Sequence, residues 1–278
     1  MDSALREALS GEMTPKFLAT LDETGRPNCV PVISIAPWDD TTLVFGEFFL
    51  NKTRRNLEAN NKVGVAVVND QFASWSLKGT FLGFETTGPR IEWINQQPMF
   101  RYNAYTSVRA AGSIRIEEIT AMPGISRGAL PADLVRVRLR AALARNGGGP
   151  CMPLRVAEKF GRVKAARAIA FRTESNGNDG YPQAFTVMAC VPAGADRLLL
   201  RMPAEVPEGT EVAVAVITQE PVAYQVKGVY AGRRGGYGLI QLTECYSASP
   251  PLLGERLYPP LHDNATAAPF KGGPSPSL

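Results

Sequence analysis

"VAVVNDQFASWSLKGTFLG", residues 65–83, returns later in the chain as "VAVITQEPVAYQVKGVYAG", residues 214–232. The two align without a gap, 149 positions apart. Val-Ala-Val, Lys-Gly and the closing glycine are identical, and Trp75 stands where Tyr224 does. Self-similarity at one offset marks a repeated structural unit. Working outward, Gly25-Arg26-Pro27 matches Gly180-Tyr181-Pro182 and Leu43-Val44-Phe45 matches Leu198-Leu199-Leu200, both 155 apart. Downstream, "GSIRIEEITA" from Gly112 matches "GLIQLTECYS" from Gly238, 126 apart. Four blocks in one order are a duplication. The changing offset places six extra residues in the first unit between its third and fourth runs. It also places a 23-residue insert within "FETTGPRIEWINQQPMFRYNAYTSVRA", residues 84–110.

Both units read as β structure. In the first, "FLATLD", "CVPVISIA", "TLVFG", "KVGVAVVN", "ASWSLKGTFLGFE" and "GSIRIEEIT" are short runs rich in β-branched residues, separated by polar Gly and Pro turns such as "ETGRPN". That pattern belongs to antiparallel barrels and sandwiches. Pro31 inside a run points to a sheet edge or a split in a barrel, because proline cannot donate to a ladder. The amino-terminal "MDSALREALSGEM" reads as a short amphipathic helix with Ala4, Leu5, Ala8 and Leu9 on one face. In "LPADLVRVRLRAALARNGGGP" the Arg/Val alternation suggests a strand, but the Pro start, the Ala-Ala-Leu-Ala run and the Gly stop favour a helix. The expected division is residues 1–122 as one barrel, 123–165 as a helical linker, 166–250 as a second, degenerate barrel, and 251–278 as an extended or disordered tail. The expected fold class is mainly β, with two tandem split barrels forming a pseudo-dimer.

Composition removes several functions. The net charge of +4 over 278 residues is small, and the basic residues are interleaved with acids, so a nucleic-acid footprint is not expected. No run approaches the ~18 apolar residues of a membrane span. With no signal-like start, a cytoplasmic protein is expected. The four cysteines lie far apart, so no metal-ligand spacing arises, and buried free thiols are expected. One histidine, His262, leaves no Ser-His-Asp triad and argues against a His-ligated haem. No G-x-G-x-x-G opens a βαβ unit. Glu117 and Glu118 are neighbours on a strand and face opposite sides, so they make no carboxylate pair.

One stretch carries chemistry. "NKTRRNLEANN", residues 51–61, reads as a short helix with Asn51 as its N-cap and Asn60-Asn61 as its end. Helix amides at the first turn lack intrahelical partners and the dipole is positive there. With Lys52, the Thr53 hydroxyl and nearby arginines this suits a phosphate. A solvated basic helix covering the barrel fits the same residues equally well.

The ordered set "FLATLDETGRPNCVPV", "NKTRRNLEANNKVGVAV" and "SLKG" resembles the pyridoxamine 5'-phosphate oxidase-like, FMN-binding split-barrel family, across roughly residues 5–121 with a weaker echo over 168–247. The resemblance implies a flavin mononucleotide bound between two barrels. Lys52 and Thr53 then hold its phosphate with Asn56 close by. Pro31, Val32, Ile33 and Ser34 border its ring, and Ser76 or Lys78 reaches the far edge. Gln225, Lys227 and Arg233 are candidates for a wall lent by the second unit. The family's basic residues on the "CVPVISI" strand are replaced by Val30 and Ile35, and its carboxy-terminal Arg-x-His is missing, so vitamin B6 oxidation is not implied. The second unit has "RMPAEVPEGTE" in place of the basic helix, so at most one flavin per chain is expected.

A flavin performs redox chemistry itself, and no catalytic side chain is required. The expected function is an FMN-dependent oxidoreductase, whether oxidase, reductase or oxygenase, acting on a small organic substrate. A transient nicotinamide or a partner reductase is the expected electron donor, and oxygen can be the acceptor. The insert supplies Trp93, Arg101 and Tyr102 as candidate substrate-binding residues, aromatic walls beside a cation. A helix capping the barrel is the alternative for that insert. Alternative functions are a non-catalytic flavin-binding or storage protein, or a split barrel using a deazaflavin. The chain is expected as a monomeric pseudo-dimer or a homodimer.

Overall fold

A computed structural model describes residues 1–48, 50–98, 108–123, 128–144, 151–173, 180–220, 222–250 and 252–260. The first unit begins with helix α1 (Ser3–Ser10). Strands β1 (Lys16–Leu21), β2 (Pro27–Pro31), β3 (Ala36–Pro37) and β4 (Thr42–Gly46) follow, then helix α2 (Asn51–Ala59), β5 (Lys62–Val68) and β6 (Ser74–Glu85). Helix α3 (Pro89–Gln96) and β7 (Ala111–Met122) complete it. Helices α4 (Ala129–Leu143) and α5 (Leu154–Gly161) lead to the second unit. That unit has β8 (Ala166–Phe171), β9 (Gln183–Thr186), β10 (Cys190–Pro192), β11 (Arg197–Leu200), β12 (Glu211–Ile217), β13 (Ala223–Arg234) and β14 (Tyr237–Ser247). A last short strand, β15 (Arg256–Tyr258), pairs with β14.

The duplication is visible in the topology. The first sheet runs β2-β1-β5-β6-β7-β4-β3, and the main path of the second is β9-β8-β12-β13-β14-β11-β10. Adding seven to each strand number of the first gives the second, and every pairing is antiparallel. In each unit two strands consecutive in the chain, β2 and β3 or β9 and β10, lie at opposite edges of the sheet. The chain itself closes each barrel across a gap in the ladder. Pro31 ends β2 at that edge, where its missing N–H costs no ladder bond. "CVPVISIA" is therefore two strands joined by a crossover. Buried Lys16 ties that crossover down, donating to the carbonyls of Gly11 at 2.9 Å and Ile33 at 3.1 Å.

The repeated Val-Ala-Val run is apolar on both faces because both faces are covered. In β12, Val212, Val214 and Val216 fill the second barrel, while Ala213 and Ala215 face the first. In β5, Val63, Val65 and Val67 fill the first barrel and Ala66 faces the second. The joint cluster also takes Phe17, Ala19 and Cys29 from one barrel and Ala168, Ala170 and Ala184 from the other. Such small side chains let two sheets approach closely. Gly64 marks a close approach: a Cβ there would lie 2.4 Å from the Pro182 carbonyl oxygen.

The helices follow the sequence with two corrections. Helix α1 buries Leu5, Ala8 and Leu9, but Ala4 is exposed at the start of the helix, one turn before the Ala8 contact. Residues 129–143 are a helix, α4, as the Ala-rich reading expects; it buries Asp133, Val137 and Ala141 at intervals of four. In α2 the N-cap is Leu50, not Asn51, and no side chain caps the helix. Its other end is Asn60, in an extended conformation. All four cysteines are free and buried. Among the described residues no helix is long and apolar enough to cross a membrane. His262 and most of the 251–278 tail lie outside the described residues; the part described includes a strand, β15, where an extended arm was expected.

Candidate functional site

A cavity of about 990 Å³ lies on the seam between the barrels. The β2–β3 crossover, Pro31 to Ser34, forms one wall and the first turn of α2 another. The second barrel closes it with Ile217, Ala223 and Gln225, and with Tyr246 to Pro250 and Leu253 to Arg256. The volume stands at the upper end of the range for small-molecule pockets, roughly 300–1,000 Å³.

The start of α2 enters the cavity with its amides uncapped, because Leu50 has no side-chain acceptor to offer. Lys52, Thr53 and Arg55 line the cavity. Arg54 turns away, pairing with Glu47 at 2.8 Å and Glu58 at 2.9 Å and stacking on Phe84. The basic cluster thus divides into a structural arginine and cavity-facing cations. Buried Thr53 accepts from the Asn28 side-chain amide at 3.4 Å, which leaves its own hydroxyl proton able to donate. Asn28 Oδ1 in turn accepts from Gln225 at 3.2 Å, and Gln225 also donates to the Cys29 carbonyl. This relay joins a wall of the second barrel to the helix of the first.

Not every sequence candidate reaches the cavity. Pro31, Val32, Ile33, Ser34, Lys52 and Thr53 line it together. The Ser34 hydroxyl is held on the backbone of Gly46, accepting from its N–H at 3.1 Å. Asn56 is buried beneath α2 and donates to Thr20 Oγ1 at 3.0 Å, docking the helix on β1 instead of facing the cavity. Ser76 and Lys78 do not line it; Lys78 pairs with Glu118 at 2.7 Å. The physical reason is the pseudo-twofold arrangement. The second barrel presents the middle of its matching strand to the α2 side, where the positions 149 further on, Gln225 and Lys227, lie near Asn28 and Lys52. Gln225 lines the cavity and Lys227 is buried within the electrostatic reach of Lys52. Arg233 is exposed near the end of β13 and away from the cavity. Trp93 packs edge-to-face on Trp38 at 5.9 Å and covers Val44 and Ala111, so α3 caps the barrel and leaves the cavity to other residues. Arg101 and Tyr102 lie outside the described residues.

The two pseudo-symmetric Lys–Glu pairs differ. Lys78 faces Glu118 in register and pairs with it, whereas Lys227 faces Glu244 in register with no salt bridge within 4 Å among the described residues. Glu244 is drawn to Arg26 at 3.4 Å and Arg256 at 3.3 Å and accepts from the Tyr246 hydroxyl at 2.8 Å. Burial pushes the Glu244 carboxyl up, but Tyr246, Arg26, Arg256 and Lys227 outweigh it and hold it below the usual range. Burial, then the charge of Lys52, brings Lys227 down to about 7. Tyr246 is pushed up to about 12 by burial and its bond to Glu244, and its ring lies 4.8 Å from Lys52 Nζ. Sequence reasoning missed Tyr246, Glu244 and Arg256; the signal available was Glu244 falling 126 positions after Glu118.

Residues 1–120 match the family profile described as pyridoxamine 5'-phosphate oxidase. No curated protein matches the chain. Similar solved structures include HupZ of Group A Streptococcus, with 25% identity over 46% of this chain and 99% of that one and a TM-score of 0.39. An FMN-binding protein from Syntrophomonas wolfei has 15% identity over 44% and 85%, with a TM-score of 0.39. HutZ, a heme storage protein of Vibrio cholerae, has 14% identity over 43% and 93%, with a TM-score of 0.33. Each spans one barrel's worth of this chain. With the split-barrel topology of its seven strands and the match over residues 1–120, the amino-terminal barrel belongs to the pyridoxamine 5'-phosphate oxidase-like split-barrel family.

Proposed function

We propose that the chain is an FMN-dependent oxidoreductase acting on a small organic substrate, with one flavin held on the seam between its two barrels. The observation that carries this reading is the uncapped first turn of α2, with Lys52 and Thr53, opening into the cavity whose far wall belongs to the second barrel. The residues fit the group. A phosphate meets free helix amides, a hydroxyl proton and two cations. A flat apolar ring meets Val32, Ile33, Ile217 and Ala248.

Within this reading the chain's residues position and exclude. Lys52, Thr53 and the α2 amides fix the phosphate end. The Gln225–Asn28–Thr53 relay keeps that end in register with the opposing wall. The crossover from Pro31 to Ser34 borders the ring and is itself held by Lys16. When bound, FMN supplies hydride or single-electron transfer, and electrons reach it from a nicotinamide or a partner reductase. The apolar walls keep water from the reacting face.

One flavin per chain follows from the asymmetry of the seam. Residues 201–210, which replace α2 in the second unit, form no helix, and Lys78 is neutralised by Glu118. The test is the absorption spectrum and extractable chromophore of the purified full-length chain. Flavin bands, released FMN and turnover of a reducible or oxidisable substrate support the reading. A colourless protein that also ignores added FMN overturns it.

A further inference from the structure

The cavity has a wall for which the first unit has no counterpart among the described residues. After the second barrel closes with β14, the chain turns back and lays down β15, bringing Leu253 to Arg256 and Pro260 against the cavity. Arg256 stands opposite Tyr246 in the β14–β15 register. The same Tyr246 ring carries Lys52 of the first barrel. Two cations from opposite barrels therefore share one tyrosine as a neighbour.

Arg256 is under-used by the protein. A guanidinium has five donors, yet that of Arg256 makes one ion pair, at 3.3 Å, and no side-chain hydrogen bond among the described residues. Its Nε is buried without a hydrogen-bond partner. Its one partner, Glu244 Oε1, is shared with Arg26. Of the charged side chains that line the cavity, Lys52, Arg55 and Arg256 are cations and Glu255 is the one carboxylate among the described residues, so positive charge is in excess there. Surplus cations with spare donors beside a cavity are suited to an anion.

We infer that Arg256, carried by the strand that follows the second barrel, is an anion-binding residue that clamps the cofactor's phosphate from the side opposite α2. This rests on the flavin reading above and adds a residue to it. The second barrel then closes on the cofactor with its carboxy-terminal strand and holds its charged end as well as its ring.

The test compares FMN with riboflavin, which shares the ring and lacks the phosphate, on the full-length chain by fluorescence titration. Arg256→Gln is expected to weaken FMN at least 10-fold and to leave riboflavin within about twofold. Arg256→Lys, which keeps the charge and loses the fork, is expected to fall between, and serves if the Gln variant does not fold. Equal loss of both ligands, or no loss of either, means that Arg256 only braces Glu244 and overturns the inference alone. Wild-type chain that binds neither flavin overturns the flavin reading and this inference together.

Discussion

The side-chain amide of Gln225, on the second barrel, donates to Asn28 Oδ1 of the first at 3.2 Å. Both side chains are buried, and the bond spans the seam directly beneath the cation-bearing helix. Replacing Gln225 with Leu keeps the volume and removes the donor, leaving Asn28 Oδ1 and the Cys29 carbonyl without it. An unsatisfied buried group costs about 1–3 kcal/mol. The variant is expected to melt several degrees lower and to bind FMN more weakly, since Asn28 no longer steadies Thr53. An unchanged melting temperature would show that the relay carries no weight.

Lys52→Ala separates the phosphate from the ring. A charge-assisted bond lost from the helix start is expected to weaken FMN roughly 10-fold or more, with little effect on riboflavin. Arg54→Ala, whose side chain is committed to Glu47 and Glu58, is expected to lower thermal stability and to leave that ratio alone. If Arg54→Ala changes the FMN-to-riboflavin ratio and Lys52→Ala does not, the division of the basic cluster is wrong.

Lys227 gives the pH dependence a sign. Burial and Lys52 bring it down to about 7 from an ordinary value of 10.5. Between those values the unfolded chain binds more protons than the folded one, so stability of the ligand-free protein rises with pH there. Lys16, brought down to about 8 by burial, adds the same sign over a narrower window. A bound anion favours protonated Lys227, so anion affinity falls as pH climbs above about 7. Lys227→Met is expected to flatten both trends relative to wild type. Parallel pH profiles for the two proteins would contradict this.

Gly64 has a steric role. An added Cβ would meet the Pro182 carbonyl oxygen at 2.4 Å, a backbone atom that cannot swing aside. Gly64→Ala is expected to cost about 1–3 kcal/mol through overpacking of the seam, read by thermal or denaturant unfolding. Ala213 occupies the corresponding place in the second barrel, so a neutral substitution would mean the seam adjusts freely on both sides.

The duplicated Val-Ala-Val run made the architecture legible, because valines filling a barrel and alanines facing its twin leave a two-faced apolar signature in one short strand. The basic helix start was legible too, since Lys and Thr at a helix's first turn are a local feature, and both side chains line the cavity. What sequence could not supply was which barrel serves which cavity. The resemblance implies Ser76 or Lys78 at one edge of the site and Gln225 and Lys227 in a wall lent by the second unit; of these four, Gln225 lines the cavity and the other three do not. Asn51 was a reasonable cap by residue type, yet the chain enters α2 one residue earlier. Trp93 looked like a ligand wall because an aromatic in an insert carries no label for the surface it covers. β15 is three residues between a Gly turn and a proline pair, too short for any periodicity to announce it.

The count of FMN molecules bound per full-length chain tests the central claim most directly, measured by titration with absorbance and fluorescence readout. One site per chain is predicted, abolished or strongly weakened by Lys52→Ala. Two equivalent sites would mean that the second barrel keeps a phosphate site without α2, and no site at all would return the seam to plain structural packing.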